Sequence, residues 1–291
     1  MQDVLCLIAA PGHTLPADDA GVLARALGGE VRWLAEGRAC DIVHTNRRGV
    51  LAQARDAFAD RPIDTLVIAS GDREKRLLLC DMDSTIITVE CIDEIADFAG
   101  VKAEVAEVTR KAMNGELDFK AALKARVALL EGLSENVLAE VMSERVRLMP
   151  GARTLVRTLA ARGAFTGLVS GGFTFFTERV AALCGFAFQA ANVLEVRNGR
   201  LTGHVLEPIR DAAFKLATFV RLGRERDLAP AACCTVGDGA NDLPMLQAAG
   251  LGIGYHAHAK VRAAIDAQIN HADLTGVLHV MGLPEAAFVR D

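Results

Sequence analysis

No apolar run among the 291 residues reaches the roughly 20 residues that a membrane-spanning helix needs, and the opening Met1-Gln2-Asp3-Val4 lacks the basic region that begins a secretory signal. Basic residues are not in excess either. Lys and Arg number 32 against 37 Asp and Glu, a formal charge of −5, which offers no general basic surface to nucleic acid or an anionic membrane. Any phosphorylated ligand must then be drawn by a local cluster of Lys, Arg, metal and backbone N–H groups. The pattern also lacks a disulfide framework and a zinc site. The seven cysteines are odd in number, six of them (Cys6, Cys80, Cys91, Cys184, Cys233, Cys234) lie in apolar segments, and adjacent Cys233 and Cys234 have no C-x-x-C partner. No internal repeat or low-complexity segment occurs. These absences predict a soluble, cytoplasmic protein with neither nucleic acid nor membrane as partner, long enough for two domains or a domain with a cap.

The most informative stretch present is Leu77-Leu78-Leu79-Cys80-Asp81-Met82-Asp83-Ser84-Thr85. A short apolar run after the charged Asp72–Arg76 reads as a strand buried in a parallel sheet, and open α/β sheets place ligand chemistry at the carboxyl ends of their strands. Asp81 there could attack phosphorus as a covalent nucleophile, with Asp83 near enough to donate a proton to the leaving oxygen. The same Asp and Ser residues would also suit a helix N-cap, and this segment by itself does not separate the two.

Upstream, residues 1 to about 70 alternate as strand, helix, strand, strand, helix, strand: Val4–Ala9, Ala20–Leu27, Glu30–Leu34, Cys40–His44, Val50–Phe58 and Thr65–Ala69. This is a split βαβ pattern, which places a boundary at the charged linker and an N-terminal domain over 1–72. From Leu77 onward the strands Leu77–Cys80, Phe165–Val169, Phe186–Gln189, Cys233–Val236 and Leu251–Gly254 alternate with helices. They predict a doubly wound parallel sheet over 77–291. Between its first two strands lie about seventy helical residues with breaks at Gly100, Gly115 and Gly132, too long for a simple crossover. A helical cap over roughly 91–149 is expected, with Pro150-Gly151 as its hinge. Runs flanking Asn198-Gly199 predict a hairpin.

A second acidic turn, Val236-Gly237-Asp238-Gly239-Ala240-Asn241-Asp242, again follows an apolar strand. Its oxygen-bearing side chains, pooled with Asp81, could hold Mg²⁺, which prefers few carboxylates together with water and phosphate oxygens. A strand-to-helix turn capped by Asn241 or Asp242 is the competing reading, weakened by the recurrence of two acidic turns at strand ends. Ser170-Gly171-Gly172 follows another strand and is expected to open a helix, whose free N–H groups would form an anion site. Lys215 by itself reads as a solvated helix lysine. His256 and His258 alternate in a loop without a third ligand, so a metal site there is not expected.

The order Asp81-Met82-Asp83-Ser84-Thr85, Glu90, Ser170-Gly171-Gly172-Phe173, Lys215 and Gly237-Asp238-Gly239-Ala240-Asn241-Asp242 resembles the haloacid dehalogenase superfamily, and within it the phosphoserine phosphatase family, over roughly residues 77 to 282. The resemblance implies a HAD-like α/β core with an inserted helical cap and a Mg²⁺-dependent hydrolysis of O-phosphoserine, the last step of serine biosynthesis. Asp81 would be the nucleophile and Asp83 the acid, then the base. The metal would be held by Asp81, Asp238 and the Asp83 backbone carbonyl, with Asp242 in support. Ser170, Gly171 and Lys215 would bind phosphate, and Asn241 would order that side of the site. Glu90 matches the family's ammonium-binding position and Arg126 its carboxylate-binding one; Met113 and Phe119 match cap positions near the substrate.

Independently of the family, Phe119, Leu123, Arg126 and Leu130 fall on one helical face, so the arginine interrupts an apolar stripe. It could snorkel from the stripe's edge, but a planar guanidinium suits a carboxylate ligand better. The split βαβ unit resembles the amino-acid-binding ACT domain. Serine sensing by an amino-acid effector, homodimerisation and simple attachment are all open for it. Two other readings of the whole chain are a phosphatase or phosphotransferase for another small phosphomonoester such as phosphohomoserine, and a non-catalytic amino-acid sensor.

Overall fold

The protein is represented by a computed structural model that describes residues 3–44, 49–113 and 116–290. Gly115, one of the expected helix breaks, lies outside the described residues.

The N-terminal segment forms β1 (Asp3–Ala9), α1 (Ala17–Leu27), β2 (Glu30–Ala35), β3 (Ala39–His44), α2 (Val50–Ala57) and β4 (Ile63–Ala69). Their antiparallel sheet has the order β2-β3-β1-β4, so the first and last halves of the unit interleave. Every residue of β1 is buried. The reason is a sheet covered on both faces: Leu5, Leu7 and Ala9 pack under α1 and α2, while Cys6 and Ile8 join the core of the larger unit.

That larger unit is a seven-stranded sheet of order β11-β10-β9-β5-β6-β7-β8. It contains β5 (Leu77–Cys80), β6 (Phe165–Phe173), β7 (Phe188–Arg197), β8 (Arg200–Leu206), β9 (Cys233–Gly237), β10 (Leu251–Tyr255) and β11 (Gln268–Ile269). All neighbouring pairs are parallel except β7 with β8, a hairpin whose Asn198 and Gly199 both take positive φ, as a type I′ turn requires. The central β5 alternates, Leu77 and Leu79 to one face and Leu78 and Cys80 to the other, so each layer of helices has its own apolar contact. The layers comprise α7 (Ala152–Ala161), α8 (Thr174–Cys184), α9 (Ala212–Glu225), α10 (Leu243–Ala248), α11 (Ala259–Arg262) and α12 (Gly276–Val280).

Between β5 and α7 the chain leaves the sheet for α3 (Cys91–Phe98), α4 (Lys102–Met113), α5 (Phe119–Ala128) and α6 (Asn136–Glu144). The two strands of this excursion run side by side: Ile87 bridges Leu148, Thr88 N–H donates to Arg147 O at 3.0 Å and Met149 N–H to Ile86 O at 2.8 Å. Gly151 then turns into α7 with φ of 81°. The far side of the excursion rests on the β7–β8 hairpin, where Glu135 N–H donates to Gly199 O and Gly132 N–H to Leu201 O. Helix α5 stops at Ala128, so Leu130 of the expected stripe falls in the following turn, although it stays buried. Among the described residues no helix is long and apolar enough to cross a membrane.

Candidate active site

Three neighbouring strands, β9, β5 and β6, end at one place. The chain turns away in opposite directions on the two sides of β5, so a crevice opens there. Asp81 follows β5 directly, its N–H held by Val236 O of β9 at 2.9 Å. Asp238 follows β9, and Asp242 stands at the start of α10. One carboxylate oxygen from each of these three buried residues lies within 4.8 Å of the others.

Lys215, on α9, enters this group from below the sheet and is 1% exposed. Its Nζ sits 2.6 Å from Asp81 Oδ1 and 2.7 Å from Asp242 Oδ1. Burial works against its charge, but Asp242 and Asp81 outweigh that and hold its pKa above the ordinary lysine value. For Asp81, burial and then Asp242 push the pKa up while Lys215 pulls it back. Asp238 is raised to about 6, first by burial and then by Asp242. Three carboxylates against one ammonium leave an excess of negative charge among buried side chains. A divalent cation with a preference for oxygen would relieve that excess, so the donor set fits Mg²⁺.

The second carboxylate of the motif has a different setting. Asp83 Oδ1 accepts the N–H of Cys91 at 2.9 Å, the first residue of α3, and Asp83 Oδ2 accepts the Ser170 hydroxyl at 2.9 Å. Its side chain is therefore turned away from the three pooled carboxylates and is gripped by both the cap helix and β6. Ser84, next to it, holds φ of 56°, a left-handed conformation uncommon for a residue with a side chain, and its hydroxyl donates to Glu90 Oε1 at 2.7 Å. Thr85 Oγ1 donates to Asp238 Oδ1 at 2.8 Å, so the motif's last hydroxyl orients a carboxylate of the other acidic turn.

The Ser170-Gly171-Gly172 segment corrects one expectation: it does not open a helix. It extends β6 to Phe173, and α8 begins only at Thr174. The register explains its availability. Val169 pairs with Ala190 and Phe173 with Asn192, so 170–172 bulge out of the ladder towards the crevice. Asn192 takes up the Gly171 carbonyl at 2.8 Å. Gly172 N–H donates to Ser170 Oγ at 2.7 Å, which aims the hydroxyl proton at Asp83. Asp242, a helix cap only on the competing reading, stands at the N-cap position of α10 but makes no capping bond; its oxygens take Lys215 and the Gly239 N–H.

Glu90 stands where the chain enters the helical excursion and Arg126 lies within it. Glu90 occupies the N-cap position of α3; protein crowding around it, and next the Asp83 charge, raise its pKa to about 7, although one side of the residue stays open to solvent. Arg126, on α5, forms no ion pair among the described residues, and its Nε reaches only Ala122 O at 3.4 Å. Burial lowers its pKa, opposed by the charges of Asp93, Glu90 and Asp83. Phe119 closes the wall: its ring would be 3.1 Å from a Cβ at Gly171, and Asn241 Nδ2 3.9 Å from the same point. The Met113 side chain lies outside the described residues.

Sequence reading missed Asp93, which follows Glu90 by three residues and so shares its helical face, and the part played by Cys91 N–H. It also set aside His258, whose Nε2 stands 3.6 Å from Asp238 Oδ2. His256 instead turns to Ala272 O at 3.1 Å.

A doubly wound parallel sheet with pooled carboxylates and a buried lysine at its crevice defines an α/β protein with an acidic site under a helical cap. Residues 78–247 match the haloacid dehalogenase-like hydrolase family, and the chain belongs to that family. It is 46% identical over 223 residues to a phosphoserine phosphatase of Streptomyces coelicolor, covering 76% of this chain and 54% of the relative. It is 43% identical over 213 residues to one from Archaeoglobus fulgidus, covering 73% and 62%. The chain thus spans little more than half the length of these curated relatives. Among solved structures, a probable phosphoserine phosphatase of Vibrio cholerae superposes with a TM-score of 0.80 at 32% identity, over 98% of this chain and 88% of that one.

Proposed function

We propose that this protein is a Mg²⁺-dependent phosphoserine phosphatase acting through an aspartyl-phosphate. The observation that carries the reading is the convergence of Asp81, Asp238, Asp242 and Lys215 on one point, with Glu90 and an Arg126 that has no ion-pair partner among the described residues on the helical excursion above β5. The similarity to phosphoserine phosphatases supports the substrate.

In this mechanism Asp81 attacks phosphorus, forming an acyl-phosphate as the serine oxygen departs. Asp83 gives that oxygen its proton and then takes one from the attacking water. Its two hydrogen bonds, from Cys91 N–H and Ser170, fix where that proton is offered. Ser170, Gly171 and Lys215 receive the phosphate oxygens, with Asn241 ordering that wall. Asp81, Asp238 and the Asp83 carbonyl would hold Mg²⁺, with Asp242 in support; when bound, the ion offsets phosphate charge and keeps the carboxylates ionised. Glu90 takes the substrate ammonium and Arg126 its carboxylate.

The β2-β3-β1-β4 order supports an ACT-like unit over 1–72 beside a catalytic unit over 77–291, with the cap at about 91–149. On that reading the first unit is where an amino-acid effector or a second copy of the chain would bind. Seven buried cysteines, none of them in a disulfide among the described residues, support a reducing, cytoplasmic setting. Phosphate release across a panel of phosphomonoesters, with and without Mg²⁺, tests the proposal. Preference for phosphoserine is expected; a larger kcat/KM for phosphohomoserine would replace the substrate, and no turnover of any phosphomonoester would end the reading.

A further inference from the structure

Asp64 lies on β4 opposite Ile8 of β1, on the sheet face turned away from α1 and α2. The residue is 3% exposed, and among the described residues no cation pairs with it. Its carboxylate instead accepts three successive backbone N–H groups of the larger unit: Asn270 at 2.7 Å, His271 at 3.1 and 3.2 Å, and Ala272 at 2.8 Å. A charged acceptor bound to a row of amides makes strong hydrogen bonds and fixes the shape of the turn that supplies them.

That turn has two further attachments. Leu274 N–H donates to Pro150 O at 3.0 Å, and Gly151 packs so closely that a Cβ there would lie 2.7 Å from Thr275 N; both stand in the turn by which the chain returns from the excursion into α7. On the other side Ala272 O meets His256 Nε2 at 3.1 Å, and Ile269 O accepts the His256 N–H at 2.8 Å. His256 holds φ of 43°, a conformation that needs outside support. Two residues on, His258 N–H donates to Asp238 O at 3.0 Å. Hydrogen bonds joined by short stretches of main chain therefore connect the N-terminal sheet to the backbone of a pooled carboxylate and to the Pro150-Gly151 turn.

We infer that Asp64 is a positioning residue, through which the N-terminal sheet sets the 270–275 turn and with it both Asp238 and the Pro150-Gly151 turn. The inference rests on the reading of Asp238 as a metal holder. Asp64→Ala should weaken Mg²⁺ binding, measured by calorimetry without substrate, by about tenfold, the loss typical of removing a residue that orients a metal ligand. kcat for a generic aryl phosphate at saturating Mg²⁺ should fall several-fold, with KM changing less. Asp64→Asn, which keeps one acceptor oxygen, should lie between wild type and Asp64→Ala and serves if the alanine variant does not fold. The control is Asp41→Asn, which breaks the buried ion pair between Asp41 and Arg73 at the same interface without touching the turn. It should lower the melting temperature and leave Mg²⁺ affinity within about twofold. Unchanged Mg²⁺ affinity and aryl phosphate kcat in folded Asp64 variants would overturn the inference, as would equal losses in Asp41→Asn. If wild type itself binds no Mg²⁺, the metal reading fails, and the aryl phosphate kcat ratio alone then decides the role of Asp64.

Discussion

The N–H of Cys91 donates to Asp83 Oδ1, so the first turn of a cap helix holds the carboxyl assigned as proton donor. Cap position and acid geometry are thereby one structural variable. On the other oxygen of Asp83, room is made by Gly172, where an added Cβ would stand 2.7 Å away.

The close approach predicts that Gly172→Ala displaces Asp83 and lowers kcat about 10²-fold or more, the scale of general acid–base catalysis. Some loss of melting temperature should accompany it, because the methyl also meets the buried Ser170 Oγ at 3.1 Å and Met82 Cε at 3.6 Å. Ser170→Ala, which removes the other restraint, should lower kcat in the same direction. Wild-type kcat in Gly172→Ala would refute the role given to Asp83.

Asp81→Asn should abolish turnover while the protein stays folded, since an amide cannot form the acyl-phosphate. A beryllium fluoride adduct solved with the wild type should lie on Asp81. Sustained turnover by the asparagine variant, with deamidation excluded by mass spectrometry, would remove the nucleophile.

Lys215→Met leaves Asp81 and Asp242 facing each other without their shared ammonium, and breaking a buried pair in this way costs about 3–5 kcal/mol. A lower melting temperature is expected, partly restored by Mg²⁺, which supplies positive charge to the same oxygens. Thermal scans with and without the ion check this; no destabilisation would show that Lys215 is not what balances the pair.

Removing the half-buried Arg126 should weaken kcat/KM for phosphoserine by roughly 2–5 kcal/mol, the cost of leaving a desolvated charge unpaired, and removing Glu90, open to solvent on one side, should act in the same direction but cost less. An aryl phosphate lacks both the ammonium and the carboxylate, so Glu90→Gln and Arg126→Ala should affect it far less. Equal losses on both substrates would make these residues supports of the cap rather than contacts of the substrate.

Glu90 also sets a pH dependence. With its pKa near 7, the carboxylate needed for the substrate ammonium is lost as pH falls through 7, so phosphoserine kcat/KM should drop there relative to the aryl phosphate. The stability effect has the opposite sense. A folded value above the ordinary 4.5 means that the protonated form favours the fold, a contribution complete below about 4.5 and lost as pH rises through 7. Glu90→Gln should therefore melt higher than wild type at pH 8, with the difference vanishing towards pH 4.5. A phosphoserine profile parallel to that of the aryl phosphate would refute the ammonium contact.

Much of the chain was legible before folding because its signals are local. Periods of two and of 3.6, ended by Gly, Pro or Asn-Gly, placed the strand Leu77–Cys80, the hairpin at Asn198-Gly199 and the turn at Pro150-Gly151, and acidic turns after apolar strands marked Asp81 and Asp238. Tertiary structure alone decided which strand ends are neighbours. Hydrophobic pattern says which faces are buried but not which strand lies beside which, and the order β9-β5-β6 is what brings Asp238, Asp81 and Ser170 together. The same limit applies to Lys215, an ordinary helix lysine until α9 packs beneath the crevice, and to Ser170-Gly171-Gly172, whose bulge depends on its register with β7. Asp64 is the extreme case: its partners are backbone amides about 200 residues away, and a backbone amide carries no side-chain signature for a sequence to display.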